Sequence, residues 1–148
     1  MGIEKDIQQR SFRNEFQKVS VNLIFSAGWL NEQIKKVLDQ QDITSQQYNI
    51  LRILRGSNKP LSTLQIRERM LDRMSDTSRM ADRLLKKGWI EKKECPADKR
   101  LVDITISKKG LQLLDKLDKK NEELDNIVSK LSSEEAIMLN KLLDKMRE

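Results

Sequence analysis

The segment from Ser75 to Gly110, SDTSRMADRLLKKGWIEKKECPADKRLVDITISKKG, constrains the fold more than any other part of the chain. On a helical wheel at about 100° per residue, Thr77, Met80, Ala81 and Leu84 fall on one side. Ser75, Arg79, Asp82 and Lys86 fall opposite, flanked by Asp76, Ser78 and Arg83. Gly88 is placed to end that helix. Beyond it, Trp89 to Glu94 and Leu101 to Ile106 can pair as strands around a tip of Cys95, Pro96, Ala97, Asp98, Lys99 and Arg100. In the second strand Val102, Ile104 and Ile106 alternate with Asp103 and Thr105, the pattern of a half-buried strand. A short helix with one packing side, followed directly by a hairpin, needs other helices to cover that side. A helix-turn-helix with a β wing meets the requirement.

The flanking sequence supplies those helices. From about Arg10 to Leu38, Phe12, Phe16, Val19, Leu23, Leu30, Ile34 and Val37 recur at threes and fours, with Ser26 in the gap, which predicts one long helix. Thr44 and Gln47 form a capping box, with Ile43 and Tyr48 as a hydrophobic staple, and open a helix carrying Leu51 and Leu54 that stops near Gly56. After the turn at Asn58, Lys59 and Pro60, a second box of Ser62 and Gln65 opens a helix to about Met70. Leu71 to Met74 is then the turn, and Ser75 the expected N-cap of the next helix. Ser107 and Lys108 open a long helix in which Leu114, Leu117, Asn121, Leu124, Val128 and Leu131 step by three and four. That is a heptad seam with one asparagine at a core-type position, an arrangement that sets register between paired helices. Ser132 and Glu135 form another box before a last helix carrying Ile137, Leu139, Leu142, Leu143 and Met146. The expected fold is mainly α with a small β-hairpin wing: four helices, the hairpin, then two helices, six in all.

At 148 residues the chain suits one domain with a real core. Its net charge of +6 is concentrated: thirteen basic and eight acidic residues lie between Arg67 and Lys109, a local +5 in under a third of the length. Such a patch implies a polyanionic partner. The start, MGIEKDIQQR, is not a secretory signal, Asp6 stands where a myristoylation motif wants Ser or Thr, and no apolar run is long enough to span a bilayer. With a single cysteine and no internal disulfide, the expectation is a cytoplasmic protein without membrane partners. Histidine is absent, which removes a switch near neutral pH and, with one cysteine, any zinc or copper spacing. No nucleophile elbow, Walker loop or dinucleotide fingerprint occurs, so neither an enzyme nor a cofactor is expected. The acid pairs Glu122–Glu123 and Glu134–Glu135 read as helix surface and cap residues.

The polar side of the Ser75–Lys87 helix carries chemistry suited to duplex DNA. Arginine matches the paired acceptors of guanine, and serine bonds to phosphate or to base edges. Asp82 would repel phosphate, so it is expected to pair with Arg79 or Lys86, or to orient Arg83. At the hairpin, Lys93, Lys99 and Arg100 suit a minor groove, with Asp98 holding the Arg100 guanidinium and Pro96 stiffening the approach. Ser62 and Thr63, at the start of the preceding helix, are expected to contact phosphate.

Together these residues resemble the MarR family of bacterial transcriptional regulators. The matching features are Pro60-Leu61-Ser62, Ser75 with Arg79, Asp82-Arg83-Leu84, Lys87-Gly88-Trp89-Ile90, the wing pair Asp98 and Arg100, and Ile106-Ser107-Lys108-Lys109-Gly110. The order of elements and the chain length match as well. The resemblance implies one domain over 1–148, with a winged-helix lobe at about 43–107 and dimerisation helices at about 8–40 and 108–148. It also implies a homodimer reading a pseudo-palindromic operator in double-stranded DNA, acting as a repressor that releases DNA on a small ligand or an oxidant. Phe12, Phe16, Leu117, Asn121, Leu124 and Val128 are the expected dimer seam. Phe25, Trp29 and Tyr48 are the expected lining of a pocket for a small aromatic or apolar effector. Cys95 lies at the wing, whereas the oxidant-sensing branch carries its cysteine in the first helix, so it reads as incidental. Two departures stand out: no glycine occurs in the Leu71–Met74 turn, and Thr77 replaces a usual aliphatic residue. The alternative function is a dimeric winged-helix interaction module, or an anti-repressor, that does not read DNA. The basic helix face and intact wing argue against it.

Overall fold

Asn14 decides where the first long helix starts. Its side chain accepts a hydrogen bond from the Gln17 N–H at 2.9 Å, while the Gln17 side-chain oxygen accepts from the Arg13 N–H. The helix therefore begins at Glu15 rather than near Arg10, and Phe12 lies ahead of it, half-buried. The computed structural model describes residues 2–94, 96–98 and 102–148. Along these run α1 (Ile3–Asp6), α2 (Glu15–Leu38), a 3₁₀ turn (Asp39–Gln41), α3 (Ser45–Gly56), α4 (Thr63–Arg69), α5 (Thr77–Lys86), β1 (Ile90–Glu94), β2 (Val102–Ile106), α6 (Lys108–Asp118), α7 (Asn121–Asn126) and α8 (Ser133–Arg147). The class is as expected, mainly α with one antiparallel hairpin, but the described residues hold eight α-helices rather than six.

One added helix is α1, which buries Ile3 and ties Glu4 to Lys18 of α2. The other comes from a break in the expected long helix after β2. α6 stops at Asp118, and the Lys120 N–H bonds back to the Leu117 carbonyl. After α7 the chain tightens through i to i+3 bonds from Ile127, Val128, Ser129 and Leu131, and the Ser129 hydroxyl donates to the Asn126 carbonyl. The heptad seam is therefore not continuous. Leu117 is buried in the core of the lobe, while Asn121 is the exposed first residue of α7.

The core gathers between the end of α2 and α6. Leu38, Ile50, Leu51, Ile66, Leu84, Ile104, Leu114 and Leu117 are its fully buried members, with Tyr48 and Trp89 at its edge. The capping boxes at Thr44/Gln47, Ser62/Gln65 and Ser132/Glu135 all form. In the sheet Ile90 faces Ile106 and Lys92 faces Ile104. Leu61 adds a further bridge: its N–H donates to the Ile104 carbonyl at 3.0 Å, and the Ile104 N–H returns a bond at 2.8 Å. That pairing roots the wing against the start of α4.

Two glycines are required where they stand. Gly88 has φ +74°, and its N–H bonds the Leu85 carbonyl while the Trp89 N–H reaches Leu84. This Schellman turn directs the chain from α5 into β1. At Gly110 a Cβ would collide with the Trp89 carbonyl oxygen and lie 2.8 Å from Cγ1 of Ile106. Glycine there lets the start of α6 pack against the base of the hairpin.

Candidate nucleic-acid interface

α5 separates a packing side from a solvent side. Thr77, Ala81 and Leu84 are buried and Met80 half-buried; Ser78, Arg79, Asp82, Arg83 and Lys86 are exposed. The N-cap is Asp76, whose carboxylate accepts the Arg79 N–H at 3.1 Å. Ser75 is not the cap, because Asp72 claims it: the Ser75 hydroxyl donates to the Asp72 carbonyl at 2.7 Å. Asp76 is thus committed to the helix end, where a carboxylate also suits the positive end of the helix dipole.

Asp82 pairs differently from expectation. Its partner is Lys92 of β1, with Nζ 3.7 Å from Oδ1, rather than a cation on its own helix. The ion pair braces α5 against the wing and leaves the cations of α5, Arg79, Arg83 and Lys86, to the solvent side. On the wing, Lys93 is exposed opposite Asp103, and Asp98 is half-buried. Lys99, Arg100 and Cys95 lie outside the described residues. The Ser62 hydroxyl accepts the Gln65 N–H as the cap of α4, and Thr63 beside it is half-buried.

The three residues expected around an effector divide between the core and the surface of the chain. Tyr48 belongs to the core, while Phe25 and Trp29 are over 40% exposed on α2. A cleft of about 480 Å³ instead opens between α2, the start of α3 and the turn after α4, with Glu32, Lys35, Asp39, Asn49, Met70 and Asp72 among its walls. Helical spacing places Phe25 and Trp29 together on α2, but that helix buries no residue of its own before Leu38.

The MarR family model matches residues 43–102, which hold α3, α4, α5 and the hairpin as far as the start of β2. The chain is also 26% identical over 153 aligned positions to the HTH-type transcriptional regulator PecS of Dickeya dadantii (strain 3937), across 97% of this chain and 92% of PecS. The matched segment is similar to the MarR family, and the likeness to PecS runs along nearly the whole chain. Among solved structures of MarR-family proteins, a mutant of E. coli MarR complexed with operator DNA superposes with a TM-score of 0.80 at 22% identity, covering 92% of this chain and 98% of that one. The S. aureus MepR–DNA complex gives 0.75 at 25% identity, covering 86% and 94%. Among the described residues no helix is long and apolar enough to cross a membrane.

Within this MarR-like lobe, sequence reasoning misses two side chains. Leu64 on α4 and Met74 in the turn before α5 are 63% and 93% exposed. In the sequence they are only parts of a helix and a turn. Their exposure depends on how α4 and α5 cross, which spacing alone does not reveal.

Proposed function

We propose that the protein is a dimeric, sequence-specific DNA-binding transcriptional regulator of the MarR family, a ligand-responsive repressor acting in the cytoplasm on a pseudo-palindromic operator. The observation that carries this reading is α5: a helix with its apolar side in the core, its cationic side in solvent, and a wing braced to it through Asp82 and Lys92. Arg79, with Arg83 and Lys86, reads base edges and phosphates from the major groove, and Ser78 and Ser75 contact the adjacent backbone. Lys93, Asp98, Lys99 and Arg100 of the wing take the minor groove. Ser62 and Thr63 approach a phosphate.

Dimerisation is assigned to the helices outside the lobe, at about 8–40 and 108–148. α8 buries nothing within the chain, and α2 only Leu38. Phe16 is 84% exposed and Ile24 76%, and α8 exposes Ile137, Met138, Leu142 and Met146. That much apolar surface supports a partner copy. Phe12, Phe16, Asn121, Leu124 and Val128 remain in the proposed seam, while Leu117 leaves it because it is buried in the core of the lobe. A small effector would enter the cleft beside Asn49.

The test is gel retardation by the full chain on fragments upstream of its own gene, across a salt series. A DNA reader gives a steep negative salt slope and prefers one fragment. Absence of retardation on every fragment at low salt would overturn the reading. Arg79→Ala is expected to relax base preference at a cost of about 1–3 kcal/mol. Equal losses on cognate and random duplexes would make Arg79 a phosphate contact only.

A further inference from the structure

The polar residues of α5 are not the whole of its exposed face. A cleft of about 430 Å³ runs between α4 and the start of α5, lined in part by Leu64, Arg67, Met74, Ser75 and Ser78. Two of these are large apolar side chains in solvent. Met74 is also held in place. Its N–H donates to the Asp72 carboxylate at 3.0 Å, and the following Ser75 is tied to the Asp72 carbonyl by its hydroxyl. The backbone is thereby fixed on both sides of a methionine whose side chain stands in solvent. Arg67, Arg73 and Glu68 border the far side of Leu64, and the Asp76 carboxylate at the rim is taken up by the Arg79 N–H. The patch is continuous with the proposed reading face of α5 through Ser75 and Ser78.

On the major-groove edge of a duplex the bases present hydrogen-bond donors and acceptors and one apolar group, the thymine C5 methyl. We propose that Met74, backed by Leu64, reads a thymine methyl group in the operator. Methionine suits this role because its flexible thioether adapts to a small apolar knob. Leu64 on α4 closes the other side of the cleft. Neither side chain belongs to the polar set read from the sequence, so they add an apolar element to the specificity of the site. The inference rests on the DNA-binding reading above.

The test uses the full-length protein. A preferred site is first selected from a random duplex pool. Each thymine in it is then replaced singly by deoxyuridine, which removes only the methyl. Binding is measured by fluorescence anisotropy for the wild-type chain, Met74→Ala and Met74→Leu. The wild type is expected to lose about fourfold at one or more positions, the scale of one buried methyl. Met74→Ala is expected to bind the thymine and deoxyuridine duplexes equally at those positions, and Met74→Leu to keep most of the difference. Indifference of the wild type to every replacement would overturn the proposal. So would a Met74→Ala variant that keeps the full wild-type ratio. Failure to select any duplex would instead overturn the DNA-binding reading itself, and the inference with it.

Discussion

The side-chain oxygen of Asn49 on α3 accepts a hydrogen bond from the Leu71 backbone N–H at 3.0 Å. Asn49 and Leu71 also line the same cleft, so its wall is bonded to the turn that leads into α5. Asp72, on that wall as well, organises the turn through Met74 and Ser75. A ligand that competed for Asn49 would free the Leu71 N–H in the turn that leads into α5. Asn49→Ala is expected to speed exchange of the Leu71 amide, read by hydrogen–deuterium exchange, and to weaken DNA binding several-fold while helical content is kept. Unchanged protection at Leu71 would show that the turn is held by Asp72 alone.

Thr77 is a buried threonine whose hydroxyl has no hydrogen-bond partner among the described residues. An unsatisfied buried hydroxyl is costly, and a same-shaped apolar replacement removes that cost. Thr77→Val is therefore expected to raise stability by about 1 kcal/mol in urea unfolding, with the slope unchanged. A loss of stability would mean that the hydroxyl finds a partner in solution.

Gly110 allows α6 to start against the hairpin base, where a Cβ would meet the Trp89 carbonyl and Ile106. Gly110→Ala is expected to destabilise by about 1–3 kcal/mol, because backbone rather than a flexible side chain must move. Weaker DNA binding should accompany it, since the displaced strands carry the wing. Thermal melting together with anisotropy checks both.

Arg55 of α3 and Asp118 at the end of α6 form a two-pronged ion pair, with N–O distances of 2.8 and 3.1 Å. Hydrogen bonding to Asp118 raises the Arg55 pKa further above its ordinary value, against the opposing effect of burial. A cation with a raised folded pKa contributes in full below its unfolded pKa and loses the contribution only as pH rises through the folded value. For arginine both lie far above the neutral range, so the pair should contribute evenly across the neutral and mildly alkaline range. Both side chains are about one-third exposed, so a double-mutant cycle with Arg55→Ala and Asp118→Ala should give about 0.5–1 kcal/mol of coupling. Coupling indistinguishable from zero at low salt would show that the pair adds nothing to stability.

Much of this arrangement follows from local spacing. The boxes at Thr44/Gln47, Ser62/Gln65 and Ser132/Glu135, the Gly88 stop, the strand alternation of Val102, Ile104 and Ile106 and the two sides of α5 all involve residues a few positions apart. They are legible in the chain because capping and periodicity act over one or two turns. Features that depend on distant partners are not. α6 ends where Asp118 meets Arg55, 63 residues away, and Lys120 reaches Gln40, 80 residues away. Asp82 turns to Lys92 because β1 folds back beside α5, and Leu61 joins the sheet because α4 starts against β2. The exposure of Met74 and the position of the cleft at Asn49 belong to the same class. Short-range physics thus suffices for most of the helices, the hairpin and the cationic side of α5. Which side chains that side presents together comes from packing between segments far apart in the chain.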